Sequence, residues 1–219
     1  MYRMIRIKKI FLDLDGPLLD GKERHYNCYR NILERFGFKP IDICEYWEKK
    51  RGMLNRKDLL DMSGAGIIYN DFLIAWLSMI ESPGVLSLDK VQDGAVDCLR
   101  RWKKQGIELT LVTMRKNKQA LEEQLELKGL RHFLDTVLVS DHANGGVGKA
   151  NAVRNYFQER LNTDSALWIG DTEADWEAAK SLGCEVVLLS NGLRSEQFLK
   201  TLEGALVMPS IKSFCAEMS

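Results

Sequence analysis

Two aspartates close an apolar run near the start of the chain, where 10-IFLDLDGPLLDG-21 sets Asp13 and Asp15 two residues apart. Side chains alternate across a strand, so both carboxylates start out on one face. Two ionised carboxylates there repel each other unless a cation or another positive group lies between them. A second acidic pair, Asp171 and Asp175, stands in 170-GDTEAD-175 behind another short apolar run. Thr113 ends the run 107-IELTLVT-113, and Lys149 follows a glycine-rich stretch in 145-GGVGKANAV-153. Several carboxylates at one place are tolerable with a divalent cation or a shared proton.

These residues act together only if the fold brings them together. Ile10, Phe11, Leu12 and Leu14 favour a buried strand, ended by the breakers Gly16 and Pro17. After Pro83 the chain alternates. An amphipathic helix over 91–105 stops at Gly106 and is followed by the strand 107–113. A charged helix over 116–129 leads to the strand 136–140, and a helix starting near Lys149 leads to the strand 166–170. The helix 173–183 and the strand 185–190 complete the series. Such alternation with near-continuous apolar strands implies an α/β fold, a parallel sheet covered on both faces. Ligands of such sheets bind beyond the carboxyl ends of the strands, which is where Asp13, Asp15, Thr113 and the Asp171–Asp175 segment fall, with Lys149 opening the helix after the third strand. Residues 18–87 do not fit the alternation. They read as helices over 23–37, 56–62 and 70–82, with no convincing strand.

Composition narrows the function classes. Lys plus Arg and Asp plus Glu are both 31, and the zero net charge argues against a nucleic-acid or membrane-surface protein. The basic cluster 100-RRWKK-104 alternates with Leu99 and Trp102, as on the solvated face of an amphipathic helix. The N-terminus MYRMIRIKKIF lacks an apolar stretch long enough for a signal peptide. Cys28, Cys44, Cys98, Cys184 and Cys215 are odd in number and show no metal-ligand spacing, so a reduced, cytoplasmic protein is expected.

The order D-L-D-G, strand-terminal Thr, isolated Lys and G-D-x-x-x-D resembles the four motifs of the haloacid dehalogenase-like hydrolase superfamily, from Ile10 to about Asn191. The stretch 170-GDTEADWEAA-179 is similar to the phosphoglycolate phosphatase-like and β-phosphoglucomutase-like branch. The resemblance implies a Rossmann-like core over 1–17 and 88–219 and an inserted α-helical cap over 18–87. It implies Asp13 as nucleophile and Asp15 as general acid and base. Mg²⁺ would be held by Asp13, Asp171 and the backbone carbonyl of Asp15, with Asp175 behind them. Thr113 and Lys149 would bind the phosphoryl group, and His25, in the first cap helix, is a possible substrate contact. The implied activity is a magnesium-dependent phosphatase of a small phosphorylated metabolite, monomeric or homodimeric. A phosphomutase is the alternative, and a non-catalytic binding protein a weaker one. Dehalogenase and phosphonatase chemistry is disfavoured, because those branches lack the aspartate that stands here as Asp15. Three departures from the branch pattern stand out: Pro17 after D-x-D-G, Met114-Arg115 after Thr113, and a lysine motif without the frequent Lys-Pro pair.

Overall fold

The structure, a computed structural model, describes residues 7–217. Most of the N-terminal stretch weighed above as a leader lies outside the described residues. A six-stranded sheet carries the fold, with β1 (Lys9–Leu12), β4 (Glu108–Thr113), β5 (Thr136–Val139), β6 (Ala166–Gly170), β7 (Glu185–Leu189) and β8 (Leu206–Met208) in the order β5-β4-β1-β6-β7-β8. Every pairing is parallel. The first strand lies between β4 and β6, and its apolar residues are fully buried because both faces are covered.

Alternation along β1 decides what its end can meet. Ile10 and Leu12 join Leu109, Leu111, Ile169 and Trp102 on one face. Phe11 joins Val112, Trp168 and residues of α8 (Gly145–Phe157) and α9 (Glu173–Leu182) on the other. Asp13 has the parity of Phe11, so it emerges on the side of α8 and α9. Gly146 makes that side compact, since a Cβ there would lie 2.3 Å from the carbonyl oxygen of Ala174 in α9. The glycines 145, 146 and 148 are thus the first turn of α8 rather than the turn expected before it. Close packing against α9 outweighs their poor helix propensity.

Leaving β1, the chain folds back on itself. Leu19–Asp20 forms β2 and pairs antiparallel with β3 (Lys90–Val91), which corrects the expectation of no strand in 18–87. Two residues are too few to show a period in sequence. Pro17 is accommodated because the turn's bonds are donated by its neighbours: Gly16 N to Leu19 O at 2.8 Å and Leu18 N to Leu14 O at 3.1 Å. Beyond β2 come α1 (Lys22–Arg35), α2 (Ile43–Arg51), α3 (Arg56–Asp61), α4 (Tyr69–Met79) and α5 (Pro83–Leu86). They bury an apolar cluster of their own, including Tyr29, Ile32, Tyr46, Leu60, Phe72 and Trp76. Asp42 and Asn55 cap α2 and α3 by accepting the backbone N–H groups of Cys44 and Asp58. The remaining helices are α6 (Ala95–Lys104), α7 (Lys118–Leu127), α10 (Glu196–Leu199) and α11 (Ile211–Glu217). In α6, Trp102 is buried while Arg100 and Lys104 face outward, as the basic cluster implied.

Candidate active site

Asp13 follows β1 directly and is buried. One of its carboxylate oxygens accepts the Leu14 N–H at 2.8 Å, and the other lies 3.0 Å from Lys149 Nζ. Lys149, fully buried in α8, also donates to Asp175 Oδ1 at 2.7 Å. Asp175 is held from several sides. Trp168 Nε1 reaches its Oδ1 at 3.1 Å, and Thr172 N and Thr172 Oγ1 donate to its Oδ2 at 3.1 and 2.8 Å. The Thr172–Asp175 pair is the capping box that starts α9, so one residue begins the helix and fixes the lysine.

Asp171 sits differently. Its Oδ2 accepts the Leu193 N–H, while its buried Oδ1 has no hydrogen-bond partner. Two glycines leave it room: a Cβ at Gly16, whose φ is +98°, would lie 2.1 Å from Asp171 Cγ, and one at Gly192 would lie 2.1 Å from Oδ2. Carboxylate oxygens of Asp13, Asp171 and Asp175 fall within 4.8 Å of one another. Each oxygen of Asp175 accepts at least two protein donors, whereas each oxygen of Asp13 has one and Asp171 Oδ1 none, so Asp13 and Asp171 keep the lone pairs that suit a hard divalent cation. Burial, then Asp175 and Asp13, pushes the Asp171 carboxyl well above the usual range. Burial, only partly offset by Lys149, pushes Asp13 up to about 7. A bound cation would reverse both shifts. Burial opposes the charge of Lys149, but Asp13 and Asp175 outweigh it and keep the ammonium protonated. The orphaned Oδ1, the glycine cradle and the uncompensated acidity all fit a metal ion there.

The second aspartate of the first motif has other partners. Arg115 grips Asp15 with two bonds, both at 2.7 Å, and Arg24 of α1 adds a third at 2.5 Å. Both guanidiniums also reach the buried Asp89, at 2.8 Å from Arg24 Nε and 3.3 Å from Arg115 Nη2. Gln124 donates to Asp89 at 2.9 Å. Burial alone would raise the Asp15 pKa, but Arg115 and then Arg24 hold it far below the usual carboxylate range. The two carboxylates that start out together are therefore claimed by different cations. That separation relieves their repulsion.

Above this floor opens a cavity of about 850 Å³, lined by Asp13, Asp15, Thr113 and Asp171 below and by His25, Lys50, Arg56 and Trp76 from the helical insertion. Thr113 ends β4 at its floor and is buried. His25 lies between Trp47 and Trp76, with ring centroids 6.0 and 5.5 Å away, and its buried Nδ1 has no partner. Burial, then Lys50 and Arg24, holds its pKa well below the ordinary histidine value, so the ring is neutral.

Residues 10–189 match the family model of haloacid dehalogenase-like hydrolases. The chain belongs to that family. Among its relatives, the haloacid dehalogenase-like hydrolase chain described here is 27% identical over 184 residues to a phosphorylated carbohydrates phosphatase of Thermotoga maritima, covering 82% of this chain and 83% of that protein. It is 26% identical to a phosphoglycolate phosphatase of Aliivibrio fischeri, with 97% of each covered. A solved haloacid dehalogenase-like family hydrolase from Streptococcus pneumoniae superposes with a TM-score of 0.77 at 17% identity, covering 97% of this chain and 99% of that one. The relatives agree with the phosphoglycolate phosphatase-like branch to which the motifs point.

In this hydrolase, Asp13, Lys149, Asp171 and Asp175 form one contact network, Thr113 and Asp15 share the cavity, and His25 reaches it from α1. Sequence reasoning did not place Arg24, Asp89, Arg115 or Gln124. Arg115 stood out only as a departure from the branch pattern, and nothing in the spacing marked the rest. Replacing Asp89 with Ala leaves two buried guanidiniums to share Asp15, so this variant is expected to lose about 3 kcal/mol of unfolding free energy in urea titrations.

Proposed function

We propose that this hydrolase is a magnesium-dependent phosphatase that cleaves a small phosphorylated metabolite through an aspartyl-phosphate on Asp13. The observation that carries this reading is the buried Asp13 carboxylate, paired with Lys149 and set beside the unpartnered Oδ1 of Asp171. In this reading, Asp13 and Asp171, with the backbone carbonyl of Asp15, hold Mg²⁺, which supplies positive charge to the transferring phosphoryl group. Asp13 attacks phosphorus, and the bond to the leaving oxygen breaks. Lys149 and the Thr113 hydroxyl offset charge on the phosphoryl oxygens, and Asp175 keeps Lys149 aimed. Asp15, ionised between two arginines, is ready as the base that takes a proton from the hydrolytic water. The arginines keep Asp15 ionised beforehand, so as acid it would relay to the leaving oxygen the proton that a phosphate monoester monoanion brings into the site.

Residues 18–87 act in this reading as a cap over the core of 1–17 and 88–219, and His25 contributes a neutral ring to the substrate's surroundings. The scattered spacing of the five cysteines supports a reducing, cytoplasmic setting. Among the described residues no helix is long and apolar enough to cross a membrane.

The test is a panel of phosphorylated metabolites, scored for free phosphate with added Mg²⁺. Release is expected with Mg²⁺ and suppression with Ca²⁺, because a larger coordination sphere would let Ca²⁺ take both Asp13 oxygens and leave none to attack. Full activity after thorough chelation contradicts the metal assignment. Isomerisation of a sugar phosphate without phosphate release favours the mutase instead.

A further inference from the structure

The cysteines are spread over the fold, and two of them meet. Cys28 belongs to the apolar cluster of the helical insertion, Cys44 is exposed on α2, and Cys184 packs on the α8 and α9 side of the sheet. Cys98 of α6 and Cys215 of α11 both lie in the cluster on the other side. Cys98 Sγ stands 3.5 Å from the carbonyl oxygen of Ile211, one helical turn before Cys215, and the two thiols are hydrogen-bonding neighbours. The helices that carry them are already held together. The rings of Trp102 and Phe214 lie 6.4 Å apart, and Lys212 Nζ reaches Asp93, just before α6, at 2.8 Å. Arg101 Nη1 lies 3.1 Å from the carbonyl oxygen of Cys215 and 3.9 Å from its sulfur. A guanidinium in that place favours the Cys215 thiolate. Burial, then Cys215, pushes the Cys98 thiol up, against a small opposing effect of Arg101.

We propose that Cys98 and Cys215 are a redox pair, which hydrogen peroxide converts to a disulfide that ties α11 to α6. Cys215 reacts first. Its sulfur stands beside the Arg101 cation, in the final turn of a short helix whose end can fray, and it is the more exposed of the two, at 7% against 3%. The thiolate attacks one peroxide oxygen and the O–O bond breaks. Cys215 becomes a sulfenic acid, and the departing hydroxide takes the proton that the thiol released and leaves as water. The Cys98 sulfur then attacks the Cys215 sulfur. The S–O bond breaks, and the hydroxyl leaves as a second water with the proton of Cys98. Two thiols are oxidised, one peroxide is reduced to two waters, and a dithiol reverses the change. In a reducing setting such a bond is transient and signals oxidant. Its effect is mechanical: α11 packs on the outer strand β8 and α6 packs on β4, so the link fastens the cover of the sheet's edge to a helix beyond β1. Neither helix lines the cavity over Asp13.

The experiment treats full-length protein carrying Cys44→Ser, which removes the exposed thiol able to join two molecules, with hydrogen peroxide, and maps its peptides by mass without reduction. The expected product is one linked pair of peptides, holding Cys98 and Cys215 and lighter by two hydrogens, which dithiothreitol separates. The oxidised protein is expected to melt about 5 °C or more higher, and the α11 amides to exchange more slowly with solvent. Cys215→Ser in the same background should lose the link, the higher melt and the slower exchange together. The peptide map of the protein with both thiols decides the matter even if that variant fails to fold. Both thiols still open to alkylation after peroxide and denaturation, or Cys215 carried to a sulfinic acid beside an intact Cys98 thiol, overturns the pair. A disulfide that leaves the melt and the exchange of α11 unchanged overturns the fastening.

Discussion

Asp13→Asn is expected to lower phosphate release at least about 10⁴-fold, because an amide oxygen is a poor nucleophile and no other carboxylate takes its place. Asp175 is held by Lys149, Trp168 and Thr172, and Asp15 by two arginines. Asp171 keeps a free oxygen, but one set beside Asp13 as a metal ligand. The fold should survive the change. Asn still accepts the Leu14 N–H, and Lys149 still has Asp175. Steady-state release with saturating Mg²⁺, beside a thermal melt, separates lost chemistry from lost structure. Retention of more than a few per cent of wild-type turnover is incompatible with a covalent route through Asp13.

Asp15→Ala is expected to slow turnover by about 10²–10⁴-fold, the range of general acid–base catalysis. The two half-reactions should respond differently. With p-nitrophenyl phosphate the leaving group needs little protonation, so transfer to Asp13 is slowed less. Hydrolysis of the phosphoenzyme still lacks its base. Rapid mixing should therefore show a burst of p-nitrophenol followed by a slow steady rate. Absence of a burst, with activated and alkyl esters slowed alike, would leave Asp15 as the partner of Arg24 and Arg115 and nothing more.

What could be read from the sequence was what is local to a strand end. Asp13, Thr113 and Asp171 follow or close apolar runs that a parallel sheet buries, so their convergence follows from topology alone. Lys149 and Asp175 come from helices, but α8 and α9 pack on the face reached by the parity of Phe11 and Asp13. The arginine clasp could not be read this way. Arg24 meets Asp89 across 65 positions, a contact that exists only once the helices of 18–87 are folded, and Arg115, although it follows β4 beside β1 and meets Asp15 there, stood out only as a departure from the branch pattern. Nor could α2, whose only buried residue is Tyr46, or the short elements α10, β8 and α11 beyond β7. Elements this short lack a period, and their places are set by packing.

If the phosphoryl group rests on Asp13 between substrate and water, the configuration at phosphorus records it. A phosphorothioate ester made chiral with two oxygen isotopes, turned over in water bearing the third, gives an inorganic thiophosphate whose handedness counts the displacements. Attack by Asp13 inverts phosphorus once, and attack by water on the aspartyl-phosphate inverts it again. Net retention is the predicted result. Net inversion would mean that water attacks the ester in a single step and that no aspartyl-phosphate forms on Asp13.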